Sequence, residues 1–243
     1  MSSECIVIIA NDPDMSDDLQ AIERDLGKRK TAYLSRAMFF DTLSLCLSLP
    51  NVDVAVYYSP SRSRERFESM IELFCHEEKD KSIQDRSRNI SLYPQNSNSM
   101  IENISSAFVN VFDDGYKRVI MIGAYCIPLD MSLLTAGFIL LKEKNVVIGP
   151  SFSGRYYLFG MSKCMPEVFE GVTWESNDFY VRLGKNLLNA NAAVQELELS
   201  YEVYATDELN QLIGDIECWR SVGDDRTAYH TERFLRSLND QII

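Results

Sequence analysis

The sequence predicts an α/β protein with a mostly parallel central sheet flanked by helices. Short runs rich in β-branched and aromatic residues, typical of buried strands, alternate along the chain with helical stretches of roughly 10 to 19 residues. Helices of that length between strands can act as crossover connections, which make neighbouring strands parallel. In such sheets ligands bind beyond the carboxyl ends of the strands, so the loops that follow the predicted strands are where a site is expected.

Seven segments are predicted to be strands, because each is apolar or alternating and is bounded by turn residues. The first, CIVIIA, ends at the turn sequence NDPD, and the second, VDVAVYY, ends at SPSRS. The predicted strands are residues 5–10, 52–58, 90–93, 118–122, 145–149, 156–161 and 194–203.

The helices are predicted from apolar spacing and the absence of Gly and Pro. In the third, Ile101, Ile104 and Phe108 lie on one face, and Asp-Asp-Gly then ends the helix. The predicted helices are residues 31–49, 64–75, 100–112, 131–142, 178–189, 207–219 and 227–242. Residues 77–99, rich in charge, Ser and Asn, look the least ordered apart from the strand at 90–93.

Charge and composition exclude several classes of protein. With 24 basic and 36 acidic residues the formal charge is −12, which argues against partners such as nucleic acid or an anionic membrane. The six Cys form no CxxC pair and only two His occur, so neither a disulfide framework nor a zinc site is expected. No basic leader with a long apolar run is visible, and we expect a cytoplasmic protein with reduced thiols.

Common nucleotide-binding and catalytic sequence motifs are missing from the sequence. It has no dinucleotide fingerprint, no P-loop and no nucleophile elbow. His76 follows Cys75, but adjacent helical residues point to different faces, so a catalytic dyad is not expected. His230 lies in a polar helix and is predicted to be a solvated surface residue.

A more specific signal comes from four ordered segments. They read MIENISSAFVNVFDDGYKRVIMIGAYCIPLD, VVIGPSFSGRYYLFGM, PEVFEGVTWES and YEVYATDELNQLI. Their order resembles a GT-A-like, nucleotide-diphospho-sugar transferase-like family, related to bacterial glycosyltransferases and to phospholactate guanylyltransferase. The resemblance covers residues 100–213 well and 4–58 loosely. It implies a single GT-A-like domain over residues 1–221, with residues 222–243 as a C-terminal helical extension.

The resemblance also implies a chemistry. In that family a divalent cation, Mg²⁺ or Mn²⁺, held by Asp carboxylates, neutralises the charge that builds on a diphosphate leaving group. The Asp of a Gly-Ser-Asp-Cys-Pro motif and the second Asp of an Asp-Val-Asp-Thr motif look like its ligands.

The sequence departs from these motifs at their acidic positions. Tyr125 replaces the Asp of the first motif, Tyr204 replaces that of the last, and Ser153 replaces a third, with Arg155 gained two residues later. The basic N-terminal loop of the family is replaced by residues 11–16, NDPDMS. A neutral Tyr hydroxyl is a poor ligand for Mg²⁺, so the fold is expected to be kept while the metal site is lost or rebuilt.

Two hypotheses follow, and whether the protein is an enzyme stays open between them. In one, a metal-independent transferase binds a nucleotide sugar, with Arg155 supplying positive charge and the hydroxyls of Tyr125 and Tyr204 binding phosphate or sugar. Asn11, after the first strand, and Trp174, in a segment that resembles the acceptor loop, complete this set of candidates. In the other, the chain is a non-catalytic relative that binds a ligand or partner.

Two further residues or segments have competing interpretations. Asp130 is the nearest remaining carboxylate and a weak metal candidate, although its position favours an N-cap for the helix that follows. In the last helix Phe234, Leu235, Leu238 and Ile242 form an apolar stripe. That stripe either docks on its own domain or pairs with a second subunit in a homodimer.

Overall fold

The computed structural model describes residues 2–224 and 228–239. Within these residues seven strands form one sheet, and nine helices accompany them. The strands are β1 Glu4–Asn11, β2 Asp53–Ser59, β3 Ser91–Pro94, β4 Arg118–Gly123, β5 Val146–Pro150, β6 Tyr156–Met161 and β7 Val194–Glu196. The helices are α1 Gln20–Leu26, α2 Lys28–Ser48, α3 Arg64–Glu77, α4 Lys81–Ser87, α5 Met100–Asp113, α6 Met131–Leu140, α7 Phe179–Asn189, α8 Thr206–Ser221 and α9 Tyr229–Asn239.

The predicted fold class is confirmed, because the sheet is mostly parallel. Its strand order is β3-β2-β1-β4-β6-β5-β7, with β6 antiparallel to both β4 and β5 and every other pair parallel. The reversal brings the start of β6, at Tyr156, to the edge of the sheet where β1 and β4 end. Side chains from the amino end of one strand therefore join those from the carboxyl ends of its neighbours.

Each face of the sheet carries its own hydrophobic core, because successive side chains of a strand point to opposite faces. From β1, Ile6 and Ile8 enter the core shared with α2, α3, α6 and α8. Cys5 and Val7 enter the core shared with α5 and α7. Both faces are thus covered, as expected for a parallel sheet.

The last predicted strand is much shorter than the sequence suggested. The β7 ladder ends at Glu196, whereas the prediction extended over residues 194–203. Beyond it the chain stays beside the sheet through separate backbone hydrogen bonds, including one from the N–H of Val203 to the carbonyl of Tyr125 at 3.1 Å. This irregular segment carries two residues of the site, Glu202 and Tyr204.

Two short helices, α1 and α4, were not predicted. Each has only seven residues, too few for a clear apolar periodicity, and α1 buries only Ile22 among its side chains. The start of α4 is fixed by Asp80, whose carboxylate accepts hydrogen bonds from the N–H groups of Ser82 and Ile83. Capping of this kind is local and leaves little signal in apolar periodicity.

The last described helix, α9, packs on α2 of its own chain. Phe234 and Leu235 are partly buried against the main core, while Ile242 and the predicted helix start at Thr227 lie outside the described residues. The prediction for His230 was wrong, because its side chain is buried and lies edge-on to Phe40 with ring centroids 5.3 Å apart. Within residues 2–224 and 228–239, none of the helices combines the length and apolarity needed to cross a membrane.

Candidate functional site

A cavity of about 220 Å³ opens where β1 and β4 end and β6 begins. Its lining combines carboxylates, aromatic rings and one amide, and no Lys or Arg is among its lining residues. The polar and aromatic members are Asn11, Asp18, Tyr125, Tyr156, Tyr157, Trp174, Glu175, Glu202 and Tyr204. Pockets at the carboxyl ends of strands are the usual ligand sites of such sheets.

The loop after β1 forms one wall. The amide of Asn11 donates a hydrogen bond of 2.7 Å to the carboxylate of Asp18. Asp12, the next residue, is fully buried and accepts a hydrogen bond of 2.6 Å from the hydroxyl of Ser63. Because Asp12 also pairs with Arg66 at 3.2 Å, the loop is anchored to the segment that follows β2.

Tyr125 and Tyr204 form a second wall. Their rings meet edge to face with centroids 5.6 Å apart. The hydroxyl of Tyr125 is hydrogen-bonded to that of Ser35 at 2.9 Å, and burial raises the pKa of Tyr125 above its usual value. Tyr125 therefore presents a neutral, already partnered hydroxyl where the resemblance placed a metal-binding carboxylate.

Trp174 and Tyr156 form another aromatic pair in the lining, also edge to face, with centroids 5.3 Å apart. Arg155 lies behind this pair and is not among the lining residues. Its Nε donates a hydrogen bond of 2.9 Å to the carbonyl of Trp174, and its guanidinium lies 5.8 Å from the centroid of the indole. Arg155 therefore supports Trp174 within the wall.

Glu202 is buried against the end of β4. An added Cβ at Gly123 would lie 3.0 Å from Oε1 of Glu202, so the absence of a side chain at Gly123 makes room for this carboxyl group. Within residues 2–224 and 228–239, the Glu202 carboxyl has no hydrogen-bond or salt-bridge partner. Burial raises its pKa to about 8, against a smaller opposing effect of the Arg155 charge.

The hydroxyl of Tyr156 is similarly isolated. It is buried and has no hydrogen-bond partner in the described part of the chain. Burial, and then the nearby Glu202 charge, raise the pKa of Tyr156 above its ordinary value. Buried polar atoms without partners are rare in native proteins, so this hydroxyl, beside a carboxyl group that also lacks a hydrogen-bond partner, indicates that a ligand completes the site.

The structure gathers four of the five predicted candidates at this cavity, namely Asn11, Tyr125, Trp174 and Tyr204. Arg155 supports the wall from outside. Asp130 does not line the cavity, and its carboxylate accepts a hydrogen bond of 2.9 Å from the N–H of Leu133, as an N-cap of α6.

A divalent metal does not fit the residues present. Within the residues that the structure describes, no group of three or more His, Cys, Asp or Glu side chains is arranged to hold a metal ion. The hydroxyls of Tyr125 and Tyr204 are neutral at physiological pH and weak ligands for hard cations.

Sequence reasoning missed five of the polar and aromatic lining residues, namely Asp18, Tyr156, Tyr157, Glu175 and Glu202. One signal was available: Glu202 and Tyr204 are two apart in an extended segment, so both point to the same side. Because Tyr204 was a predicted site residue, this spacing indicated that Glu202 would face the same site.

Comparisons with known proteins agree with this architecture. A candidate nucleotide-diphospho-sugar transferase from Desulfovibrio desulfuricans G20 matches with a TM-score of 0.80 and 24% identity, over 99% of this chain and 98% of that one. A 4-diphosphocytidyl-2C-methyl-D-erythritol synthase from Anaerococcus prevotii DSM 20548 matches with a TM-score of 0.58 and 10% identity, over 88% and 97%. At these identities the likeness shows the fold, which is the GT-A-like, nucleotide-diphospho-sugar transferase type.

A search of curated proteins gives no match. The family described as "Uncharacterized protein conserved in bacteria (DUF2064)" matches residues 42–176, which is more than half of the chain. The chain therefore belongs to the DUF2064 family.

Proposed function

We propose that the protein is a binding protein built on a nucleotide-diphospho-sugar transferase fold, without metal-dependent transfer activity. The observation that carries the proposal is the Tyr125–Tyr204 pair, which stands where the resemblance expects metal-binding carboxylates. The hydroxyl of Tyr125 is already hydrogen-bonded to Ser35 and stays protonated, so it offers no anionic oxygen to a metal ion.

The electrostatics of the cavity support the same proposal. Asp18 and Glu175 contribute carboxylates, Glu202 adds a carboxyl group that is protonated at neutral pH, and no cationic side chain lines the cavity. Like charges a few Å apart repel by about 1–4 kcal/mol per pair at the effective dielectric constants of protein surfaces. A diphosphate entering without a metal ion would meet this repulsion.

Metal-independent transfer is the second candidate function, and Glu202 favours it. A buried carboxyl group with a pKa of about 8 holds its proton at neutral pH, as a general acid must. In this alternative Arg155 would supply the positive charge opposite a leaving phosphate.

Calorimetry tests the proposal. UDP-, GDP- and CDP-sugars and nucleoside triphosphates are titrated with and without Mg²⁺ or Mn²⁺, and no metal-dependent binding is expected. Metal-dependent binding of any nucleotide sugar would overturn the proposal.

A turnover assay tests the second candidate. Transfer that is lost in Arg155→Ala and kept in Arg88→Ala would establish metal-independent transfer and exclude the non-catalytic function. Arg88 is an exposed arginine outside the cavity and serves as the matched control.

A further inference from the structure

We propose that the cavity at the ends of β1 and β4 binds a compact organic molecule through a primary ammonium group. This inference rests on the proposed function, because it names the ligand class of the same cavity. The evidence lies in its aromatic walls, its charge and its two unpartnered buried groups.

The aromatic walls suit a cation. The Tyr125–Tyr204 pair and the Tyr156–Trp174 pair both line the cavity, with centroid separations of 5.6 Å and 5.3 Å. The face of an aromatic ring attracts a cation within about 6 Å of its centroid, by up to about 2 kcal/mol when water is excluded. Two aromatic pairs in the lining of one small cavity are therefore a favourable environment for an ammonium group.

The charges around the cavity point the same way. Asp18 from the loop after β1, Glu175 beside Trp174 and Glu202 beside Gly123 all line it. The cation opposing them, Arg155, lies behind the wall and is engaged with the carbonyl and ring of Trp174. A cationic ligand gains from this arrangement, whereas an anionic one does not.

The unpartnered groups explain why the ammonium should be primary. Among the described residues, the fully buried hydroxyl of Tyr156 has no hydrogen-bond partner. The carboxyl group of Glu202, a residue that is 7% exposed and lines the cavity, forms no hydrogen bond with the described residues either. A primary ammonium carries three N–H donors and no acceptor. It can donate to both oxygens at once, which a quaternary ammonium cannot.

Binding should be coupled to proton release. Burial raises the pKa of Glu202 to about 8, so the empty site holds a proton that a bound cation displaces. Glu202 interacts electrostatically with Cys126, Arg155, Tyr156 and Tyr204. The other titratable groups that line the cavity with it are Asp18, Tyr125, Tyr157 and Glu175. Of these, Arg155 alone is a fixed cation, and it remains charged throughout the range tested.

The test is calorimetric titration of the full-length protein with matched amine and alcohol pairs. The pairs are ethanolamine with ethylene glycol, and 4-aminocyclohexanol with 1,4-cyclohexanediol. At pH 8 we expect at least one amine to bind at least about tenfold more tightly than its neutral counterpart. Its affinity should rise by at least about tenfold from pH 6 to pH 8, with proton release seen as a dependence of the heat on buffer.

Variants localise the effect. Glu202→Gln keeps the shape and removes the charge, and should lower amine affinity at pH 8 by at least about tenfold and abolish proton release. Tyr156→Phe keeps the ring and should give a smaller loss. Glu170→Gln removes an exposed carboxylate outside the cavity and should leave binding unchanged, which controls for net charge.

The outcomes separate this inference from the proposed function. Equal binding of amine and alcohol, amine binding that survives in Glu202→Gln, or no binding of any amine would overturn the inference and leave the proposed function standing. Choline binding as tightly as the primary amines would overturn the assignment of a primary ammonium. Metal-dependent binding of a nucleotide sugar would instead overturn the proposed function.

Discussion

The carboxylate of Asp41, within α2, accepts a hydrogen bond of 2.9 Å from the backbone N–H of His230, 189 residues later in the chain. Its other oxygen accepts the N–H of Thr231 at 2.8 Å. These N–H groups belong to the first turn of α9, where no backbone partner exists within the helix. One buried side chain thus caps α9 and holds it against the α/β core.

Replacing this cap should loosen α9. Asp41→Ala leaves two buried N–H groups without an acceptor, and should lower the free energy of unfolding by about 2–3 kcal/mol in urea denaturation. Asp80→Ala, which removes the exposed cap of α4, is the matched control and should cost less. Equal losses in the two variants would contradict a special role for the buried cap.

Asp41 should also make stability depend on pH. Burial raises its pKa to about 6 in the folded protein, above the ordinary 3.8. Between these values the folded state binds the proton more tightly, so the contribution of Asp41 is largest below pH 3.8 and is lost as pH rises through 6. This contribution of Asp41 to the free energy of unfolding amounts to at most about 3 kcal/mol.

The comparison with Asp41→Asn isolates this effect, because the amide does not titrate. The difference in unfolding free energy, wild type minus variant, should fall between pH 4 and pH 6.5. A constant difference over that range would show that Asp41 titrates normally.

Glu202 lines the cavity, and its burial should lower the free energy of unfolding at alkaline pH. Its folded pKa of about 8 exceeds the ordinary 4.5, so the folded state is penalised progressively as pH rises from 4.5 to 8. Glu202→Gln mimics the neutral acid and should stabilise the protein at pH 8.5 by about 1–4 kcal/mol, with little effect near pH 4. Thermal melts at the two pH values measure this, and destabilisation at pH 8.5 would contradict the burial of an unpartnered carboxyl group.

Gly149 should tolerate no side chain. The ring of Tyr157 covers it so closely that an added Cβ would overlap the ring. Gly149→Ala should therefore destabilise the protein by about 1–3 kcal/mol through overpacking. Gly184→Ala, in α7 with nothing within 4 Å of the added atom, should be neutral or slightly stabilising, and both are measured by chemical denaturation.

The packing of α9 on α2 predicts a monomer. Light scattering of the full chain should give a mass near 27.8 kDa. A mass near twice that value would instead favour the homodimer through the C-terminal helix that the apolar stripe also allows.

Strands and long helices could be predicted from the sequence because their apolar periodicity is local. The strand β1 and the helix α5 were predicted to within two residues of their observed ends. The segment 197–203 was predicted as strand because its apolar and polar residues alternate, but it meets the sheet through scattered hydrogen bonds. Its partners lie far away in sequence, where periodicity carries no information.

The site could be predicted only where its residues follow a strand or stand in a recognisable motif. Asn11 was identified because it follows the first predicted strand, and Tyr125 because it occupies the position of a motif Asp. Glu202 was not identified, because its carboxyl group reaches the cavity only where Gly123, nearly 80 residues earlier, leaves space for it. His230 was misjudged for a similar reason, since the aromatic side chains that bury it come from α2 and α3.

The residues that line the cavity extend along the chain from Ile9 to Tyr204, so no short fragment of the chain contains it. The stretch matched by the family, residues 42–176, leaves out Asn11, Asp18, Glu202 and Tyr204. A ligand that contacts all of the cavity walls needs β1 and the segment with Glu202 and Tyr204 to be in place together. Occupancy would therefore slow amide hydrogen exchange through global opening, across β1 and β4 alike, rather than in one loop.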